Sequence, residues 1–445
     1  MTITKLVPQL IRKSREIFYG WVVVACVCVI LFIAFGSVFS FTMFFKSLQV
    51  EFQTTRSSAS FIFAIAGFIY FCLGAVSGQI ADRIGAKWVL TFGVIVIGTG
   101  LLVASRATTV QQIYAIYGLG IGVGVGFVYV PGIGVVQRWF VRKRGLASGI
   151  AVTGIGLGTL CMPVVSAALI HWSDWRTTYL LMSLFVFVFG IIAALLIIET
   201  PEKLGLHPDG DSIKADTIST MEEPPFAGAA IGSQGISVKD ALQTRPFWLL
   251  YLSIFCSSLG LFIPFVHMVP FSNDLGLPTA TGVMLFSLIG FGSTVGRFLV
   301  GGIADRLGRR QSIAGMYAGF AAMFLWWLFA DSVWELAVFT LLFGTCYGGF
   351  VALLPALTAD YFSGPNMSGI IGVLYTSVAV GNLCGPTLAG YMFDLKQSYT
   401  IPIIVSTFFA LCSAGSALLL KDPVKWRASF LSSKNNDRSK IRTHF

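Results

Sequence analysis

The sequence predicts an all-α polytopic membrane protein with twelve transmembrane helices, arranged as two six-helix bundles, and with both termini in the cytoplasm. Three observations support this fold class. The 445-residue chain is 56% hydrophobic and only 11% charged, whereas about 25% of residues in soluble proteins are charged. Uncharged runs long enough to cross a bilayer recur along the whole chain. Short sequences also recur between the two halves at one constant offset.

Each predicted span is a mostly apolar run of about 20 residues, the length that crosses a hydrocarbon core of about 30 Å. Glycine is abundant, with 48 residues, as expected for helices that pack closely in a membrane. The first run is too long for a signal-peptide core and is expected to stay in the mature protein. The predicted spans are 18–44, 57–80, 88–105, 111–137, 146–170, 177–198, 246–270, 280–303, 312–330, 333–360, 368–392 and 399–420.

The net charge of +10 follows the predicted topology. When the N-terminus is assigned to the cytoplasm, 24 of the 30 Lys and Arg residues fall in cytoplasmic segments. This asymmetry is the positive-inside pattern. We therefore expect an integral multi-pass protein of the cell (inner or plasma) membrane, whose basic residues face the lipid surface and bind no nucleic acid.

A duplication divides the chain into two halves. GQIADRIGAK begins at Gly78 and GGIADRLGRR at Gly301, an offset of 223, and GTLCMP at Gly158 recurs at the same offset as GNLCGP at Gly381. Matches in different helices at one spacing indicate a repeated six-helix unit. The predicted domains are a first bundle at 1–198, a cytoplasmic linker at 199–245 with a short amphipathic piece near 236–242, a second bundle at 246–420 and a basic cytoplasmic tail at 421–445.

The repeated stretch G-x-[LI]-A-D-R-x-G-x-[KR] resembles motif A of the major facilitator superfamily, whose transporters consist of two six-helix halves joined by a cytoplasmic linker. Its glycines allow close helix contact, and its aspartates are expected to cap or to pair across the interface between the halves on the inner side. A basic turn that obeys the positive-inside rule explains the cations but not the repeated Gly and Asp. The predicted gating residues are Gly78, Asp82, Arg83, Gly301, Asp305 and Arg306.

Further stretches resemble the monocarboxylate transporter family and the related oxalate/formate antiporters. Residues 139–158 read WFVRKRGLASGIAVTGIGLG, in which an aromatic pair and a basic triplet precede L-A-x-G-x-A-x-x-G. Tyr19-Gly20-Trp21, PFVHMVPFSNDLG at 264–276 and GPTLAGYMFD at 385–394 are also similar to that group. The resemblance implies transport of small organic monoanions around a central site, and the short linker is similar to that of prokaryotic members.

Arg297 is the strongest candidate for substrate binding. It lies eight residues before Asp305, about 12 Å along a helix, and therefore near the bilayer midplane. A cation at this depth is costly and usually functional. No acid on its own helix neutralises it, and a guanidinium can bind a carboxylate through two parallel hydrogen bonds. Satisfaction by backbone carbonyls and water is the alternative. The family resemblance also implies a carboxylate-binding arginine here.

Four polar residues are weaker candidates for the same site. His267 lies between two prolines near the outer end of the seventh span, where it could carry a coupled proton or donate to the substrate, or simply be hydrogen-bonded at the interface. Tyr129, Tyr347 and Asn382 each offer a hydrogen-bond donor, although buried tyrosines also occur as ordinary packing. The predicted proton-coupling residues are His267 and Arg297.

Three positions depart from the family pattern. Animal monocarboxylate transporters carry a lysine where this chain has Phe39, which we include among the substrate-contact candidates, and an acid where it has Ser293. The second basic residue of oxalate exchangers falls near Val378. The lack of a second cation argues against dicarboxylates, because one arginine suits one carboxylate.

The sequence thus predicts a secondary active transporter of small monocarboxylates, similar to lactate or pyruvate, with proton symport by alternating access. An organic-anion exchanger and a transport-like carboxylate sensor are the alternatives. An enzyme is not expected, since the four scattered histidines form no cluster of catalytic residues. The eight cysteines show no CxxC pairing and are expected to pack as small apolar residues, without metal. No cofactor besides H+ and no obligatory protein partner is expected.

Overall fold

Twelve long helices, α1 to α12, make up most of the described chain. The computed structural model describes residues 18–210, 236–362 and 367–430, and these residues form helices and loops without a β-strand. The prediction of an all-α fold is confirmed. The helices are α1 Tyr19–Phe52, α2 Arg56–Ile84, α3 Ala86–Ala104, α4 Val110–Trp139, α5 Arg144–Trp172, α6 Trp175–Leu196, α7 Arg245–Asp274, α8 Thr279–Leu307, α9 Arg309–Leu328, α10 Val333–Phe362, α11 Met367–Lys396 and α12 Thr400–Leu418.

Eleven of these helices contain a segment long and apolar enough to cross a membrane within the described residues. The remaining helix, α9, corresponds to the predicted span 312–330 and is 20 residues long. It begins with Arg309 and Arg310 and contains Trp326 and Trp327, which lower its mean hydropathy. Its length still matches a hydrocarbon core of about 30 Å.

Four of the helices are interrupted: α1 at Ser40, α6 by the π-helical segment Val186–Gly190, and α4 and α7 as follows. A π-helical segment, Gly118–Val123, interrupts α4 where it crosses α3. A Cβ atom at Gly120 would lie 2.5 Å from Gly100 Cα, so only glycine permits this approach. Helix α7 breaks at Phe262, just before Pro264, whose backbone nitrogen carries no hydrogen and cannot donate a helical hydrogen bond.

The two bundles meet mainly where α2 packs against α11 and α5 packs against α8. Glycines make the second crossing close. A Cβ atom at Gly156 would lie 1.9 Å from Thr294 Oγ1, and one at Gly290 would lie 2.7 Å from the backbone nitrogen of Leu160. At this crossing the backbones of α5 and α8 are nearly in contact, as small residues allow in membrane helix pairs.

The start of α1 and the end of α12 lie at the same face of the molecule. The Phe18 ring packs 5.6 Å from the rings of Trp139 and Phe140 at the end of α4, and Arg310 Nη1 donates to the Leu420 carbonyl at 2.7 Å. This face also carries the basic α2–α3, α4–α5 and α8–α9 loops. The arrangement agrees with the predicted topology, in which this face is cytoplasmic.

The described ends of the linker are each attached to one bundle. The Asp209 carboxylate accepts backbone N–H groups of Val141, Arg142 and Lys143 at 2.8–3.3 Å in the α4–α5 loop. Partial burial raises the pKa of Asp209, but these hydrogen bonds outweigh it and hold the pKa below its ordinary value. The predicted short helix is present as Val238–Leu242 and packs against α7 and α11. Most of the predicted linker lies outside the described residues.

Candidate substrate-binding site

A cavity lies between the two bundles and is lined symmetrically by both. Helices α1, α2, α4 and α5 of the first bundle line it, together with α7, α8, α10 and α11 of the second. It contains about 750 Å³ of atom-free space, its mouth included. Helices α3, α6, α9 and α12 do not reach its wall. The cavity is therefore positioned where relative motion of the two bundles would open or close it.

Arg297 lies on the wall of this cavity, as predicted from its place in α8. Its Nη1 donates to the Val152 carbonyl oxygen at 2.6 Å, across the interface to α5. Its Nε–H is buried without a hydrogen-bond partner, and no carboxylate of the described residues pairs with it. Gly74, the equivalent position in the first half, also lines the cavity. The cation therefore has no counterpart in the first half, and its unused N–H donors can bind an anion.

Four tyrosines share the cavity with this cation. Tyr129 and Tyr347 lie within electrostatic range of Arg297, and both are on the wall. Tyr70 and Tyr375 are also on the wall and lie near the first two tyrosines. Among the described residues, none of the four hydroxyls has a hydrogen-bond partner. All four are therefore available to a bound ligand.

Sequence reasoning missed Tyr70 and Tyr375, although a signal for them exists. Tyr70 comes four residues before Gly74, and Tyr375 comes three residues before Val378, which is also on the wall. Side chains three or four residues apart share one face of a helix. Gly74, the counterpart of Arg297 in the repeat, and Val378, at the second-cation position, therefore identify the cavity-facing sides of α2 and α11.

Charged residues form an outer cluster at the face opposite the linker, consisting of Arg56, Asp274, Asp394, Tyr399 and His267. Arg56 Nη1 and Nη2 donate to both carboxylate oxygens of Asp274 at 2.6 Å, and Nη1 also donates to Tyr399 Oη at 2.7 Å. Asp394 accepts the backbone N–H of Arg56 at 3.0 Å. The cluster therefore ties the start of α2 to the second bundle. Arg56 was not singled out from the sequence.

An aromatic layer separates the cavity from the outer cluster. The Phe265 ring lies 4.7 Å from the Phe39 ring and 4.9 Å from the Tyr347 ring, so it joins α1, α7 and α10. Thr42 Oγ1 donates to the Val266 carbonyl at 3.2 Å beside this layer. The cavity is closed on its outer side by these contacts and by the outer cluster.

Comparison with known proteins agrees with this two-bundle architecture. The family model of the Major Facilitator Superfamily matches residues 27–325 and 284–443. The chain belongs to the Major Facilitator Superfamily. It is therefore an integral multi-pass membrane protein and a transporter, not an enzyme.

Several members of the superfamily resemble the chain along nearly its whole length. Monocarboxylate transporter 12-B of Danio rerio is 29% identical over 95% of this chain and 91% of its own. Monocarboxylate transporter 13 of Bos taurus is 25% identical over 94% of this chain and 93% of its own. A solved structure of a bacterial homolog of the human lysosomal transporter Spinster superimposes with a TM-score of 0.65 at 14% identity, covering 90% of this chain and 98% of that one. That structure shares the fold.

Two other predicted contact residues of this superfamily member lie off the cavity wall. Phe39 is 1% exposed and packs in the aromatic layer. Asn382 is fully buried in the α2–α11 interface, where its Nδ2 donates to the Ala64 carbonyl at 3.1 Å and its Oδ1 has no partner. A Cβ atom at Gly67 would lie 1.8 Å from Asn382 Nδ2. Both residues join the two halves, and neither lines the cavity in this structure.

His267 also lies off the wall, as the inner member of the outer cluster. Its Nε2 is 3.0 Å from the Pro386 carbonyl oxygen and 3.1 Å from Ser60 Oγ, and its Nδ1 is 2.9 Å from Tyr399 Oη. A carbonyl oxygen can only accept, so Nε2 carries a hydrogen, and in the neutral imidazole Nδ1 accepts from Tyr399. The imidazole is fully buried, with both nitrogens engaged by protein groups.

Motif A lies at the inner face, but its first aspartate does not pair across the halves. Asp82 accepts from Arg138 Nη2 at 2.6 Å within the first bundle, so in this conformation its ion pair does not cross to the second bundle. Gly78 permits close contact, since a Cβ there would lie 3.0 Å from a Val130 methyl group. Arg83 and Arg306 are exposed. The side-chain surroundings of Gly301 and Asp305 lie outside the described part of the chain.

Proposed function

We propose that this superfamily member is a secondary active transporter of small organic monocarboxylates, such as lactate or pyruvate, and that it carries them by alternating access in symport with protons and without another cofactor. The observation that carries this proposal is Arg297, a cation with unused donors and no described carboxylate partner on the wall of the central cavity. The names of the monocarboxylate transporters that resemble the chain support the substrate class.

Arg297 is suited to hold one carboxylate together with two tyrosines. A guanidinium donates two parallel hydrogen bonds to a carboxylate, and the cavity wall excludes much of the competing water. Tyr129 and Tyr347 lie within electrostatic range of the same guanidinium, and their hydroxyls can donate to the same anion. The positive charge and the donors are assembled before the substrate arrives, which reduces the free energy needed to order the site.

The bond between Arg297 and Val152 offers a way to couple binding to motion. Arg297 belongs to the second bundle and Val152 to the first, so this hydrogen bond joins α8 to α5. A carboxylate that takes both guanidinium edges competes with the Val152 carbonyl for Nη1. Bound substrate then releases one tie between the bundles and favours the conformation that binds it better.

The proton is proposed to act through His267 in the outer cluster. Arg56 donates to Tyr399, Tyr399 donates to His267 Nδ1, and His267 Nε2 donates to the Pro386 carbonyl. A proton added at Nδ1 would remove the acceptor that Tyr399 uses and would place a second cation near Arg56, with Asp394 as the nearby acid. Protonation from outside would therefore oppose the closed outer cluster and favour outward opening.

Anion exchange is the second candidate, favoured by one observation. No acidic side chain is among the residues of the cavity wall, so nothing beside Arg297 offers a carboxylate for a relayed proton. Ser293, which stands where animal relatives carry an acid, is 2% exposed and its hydroxyl has no partner. An inward proton gradient should drive accumulation by a symporter, whereas an exchanger should respond only to carboxylate on the opposite side.

Uptake into proteoliposomes tests the proposal. Purified protein, with labelled lactate outside and an inward proton gradient, should accumulate the label. Loss of the guanidinium in Arg297→Ala removes two hydrogen bonds to a charged group, roughly 1.5–3 kcal/mol each, and should lower uptake about 100-fold or more. Arg106→Ala, at an exposed outer position, is the control and should transport normally. Uptake by Arg297→Ala close to that of Arg106→Ala would exclude Arg297 as the anchor.

A further inference from the structure

Aromatic rings form a large part of the cavity wall around Arg297. Eight of the eighteen residues that line the cavity are Phe or Tyr. Their rings follow one another along the first bundle, with centroid separations of 5.7 Å from Tyr129 to Phe35, 6.1 Å from Phe35 to Tyr70 and 4.3 Å from Tyr70 to Phe71. The Tyr375 ring, 5.9 Å from Phe71, continues the series onto the second bundle. A bound ring would therefore meet aromatic edges or faces from both bundles.

The polar groups of the wall are few and of one kind. Apart from Arg297 and the four tyrosines, every lining side chain is apolar or absent. An ammonium group on the substrate would find no carboxylate there, and a second carboxylate would find no second cation. Burying an unpaired charge is strongly unfavourable, so both kinds of ligand are disfavoured.

The space opposite the cation is left open by Gly74. Gly74 is the equivalent of Arg297 in the first half, and a Cβ atom there would meet only a Val130 methyl group, at 3.5 Å. The cavity and its mouth together enclose about 750 Å³ of atom-free space. A three-carbon acid offers the apolar wall no more than two apolar carbons, so its burial gains little hydrophobic free energy compared with that of an aromatic ring.

We infer that the cavity prefers arylalkanoates, meaning acids in which one aromatic ring is joined by a short carbon chain to one carboxylate and which carry no amino group. Arg297, Tyr129 and Tyr347 hold the carboxylate, and the ring lies between the aromatic side chains near Gly74. This inference rests on the proposed function, because it assigns the substrate class of the same site. Phenylacetate is the simplest member of the class.

Binding to the purified full-length protein tests the inference with four probes: phenylacetate, lactate, phenylalanine and phenylsuccinate. Calorimetric titration should give a Kd for phenylacetate at least about tenfold below that for lactate, which is about 1.4 kcal/mol. Phenylalanine and phenylsuccinate should bind more weakly than phenylacetate. Tighter binding of lactate, or equal binding of phenylalanine, overturns the inference and leaves carboxylate transport standing. If none of the four binds or enters proteoliposomes, the proposed function itself fails.

Substitutions at Gly74 test the same idea without changing the charge. Gly74→Leu should weaken phenylacetate binding at least about tenfold, and lactate binding less than about threefold, since the added side chain occupies the space for the ring. Gly74→Ala adds a methyl group that makes only an ordinary van der Waals contact, so this variant keeps the fold. It should weaken the binding of the larger acid naphthylacetate more than the binding of phenylacetate. Gly134→Ala, where a Cβ meets nothing within 4 Å and which is off the wall, is the matched control. Equal changes for large and small acids in both Gly74 variants would refute the assignment.

Discussion

The ion pair between Arg56 and Asp274 should control how often the transporter opens outward. Arg56 lies at the start of α2 and Asp274 at the end of α7, so the pair must separate when the outer ends of the bundles move apart. We predict that Arg56→Gln shifts the population toward the outward-open conformation. The backbone N–H of residue 56 still donates to Asp394 in this variant, so the start of α2 remains capped.

The size of the shift follows from the geometry and exposure of the pair. Two hydrogen bonds of 2.6 Å join the groups, with side-chain exposures of 16% for Arg56 and 36% for Asp274. Exposed pairs contribute about 0.2–1 kcal/mol, and breaking buried pairs costs about 3–5 kcal/mol. A partly exposed bidentate pair lies between these ranges, at about 2 kcal/mol. The ratio of outward-open to outward-closed molecules should therefore rise about 30-fold.

Distance measurements between spin labels provide the assay. Labels on Arg106→Cys and Lys396→Cys, both exposed at the outer face and in different bundles, report opening in a background where the eight native cysteines are replaced by serine. Arg56→Gln should populate a longer distance that is minor in its absence. Excess carboxylate should change the two populations, because the two conformations bind it differently.

A second outer ion pair supplies the control. Arg176 donates to Glu51 at 2.8 Å, with exposures of 36% and 42%, but both residues belong to the first bundle. Arg176→Gln should leave the distance distribution unchanged. The reasoning is refuted if Arg56→Gln does not lengthen the distance, or if Arg176→Gln lengthens it equally.

Three further predictions concern other parts of the molecule. Asp209→Asn should destabilise the protein by about 0.5–1 kcal/mol at neutral pH, measured by thermal unfolding. Because the folded-state pKa of Asp209 is lowered, its carboxylate stabilises the protein at pH values above the ordinary pKa of 3.8. This stabilisation is lost as the pH falls through the folded-state pKa. His267→Gln, which cannot be protonated, should flatten the pH dependence of uptake. Gly156→Val should separate α5 from α8, since its Cβ would lie 1.9 Å from Thr294 Oγ1, and should abolish uptake.

Each of these predictions has its own contradicting result. If Asp209→Asn has the same melting temperature as the parent at neutral pH, the Asp209 carboxylate does not stabilise the α4–α5 loop. A pH profile of His267→Gln that matches the parent would move proton coupling to another group. For Gly156→Val, Gly145→Val is the control, because a Cβ at Gly145 meets nothing within 4 Å. Equal loss of uptake in both would mean that helix disruption, and not the α5–α8 contact, is responsible.

Much of the fold could be predicted because its signals are local. The apolar run 333–360, for example, is enough to predict a helix, because the thickness of the bilayer fixes the length of a spanning run. In the structure this helix is Val333–Phe362. The repeat offset of 223 related Arg297 to Gly74, and both are on the cavity wall. Tyr129 and Tyr347, which were also predicted at the site, line the cavity as well. By contrast, Phe39, His267 and Asn382 were expected at the site and lie in contacts between the bundles instead.

The sequence by itself determined the twelve-helix class, the orientation of the basic loops, the duplication and the single central cation. These properties depend on hydropathy, charge and spacing along the chain, and these quantities determine the insertion and orientation of each helix separately. Only the tertiary structure decided that Asp82 pairs with Arg138 and that Arg56 meets Asp274, 218 positions away. It likewise decided which side chains face the cavity, because those neighbours come from distant helices whose relative rotation and depth depend on packing of the complete molecule.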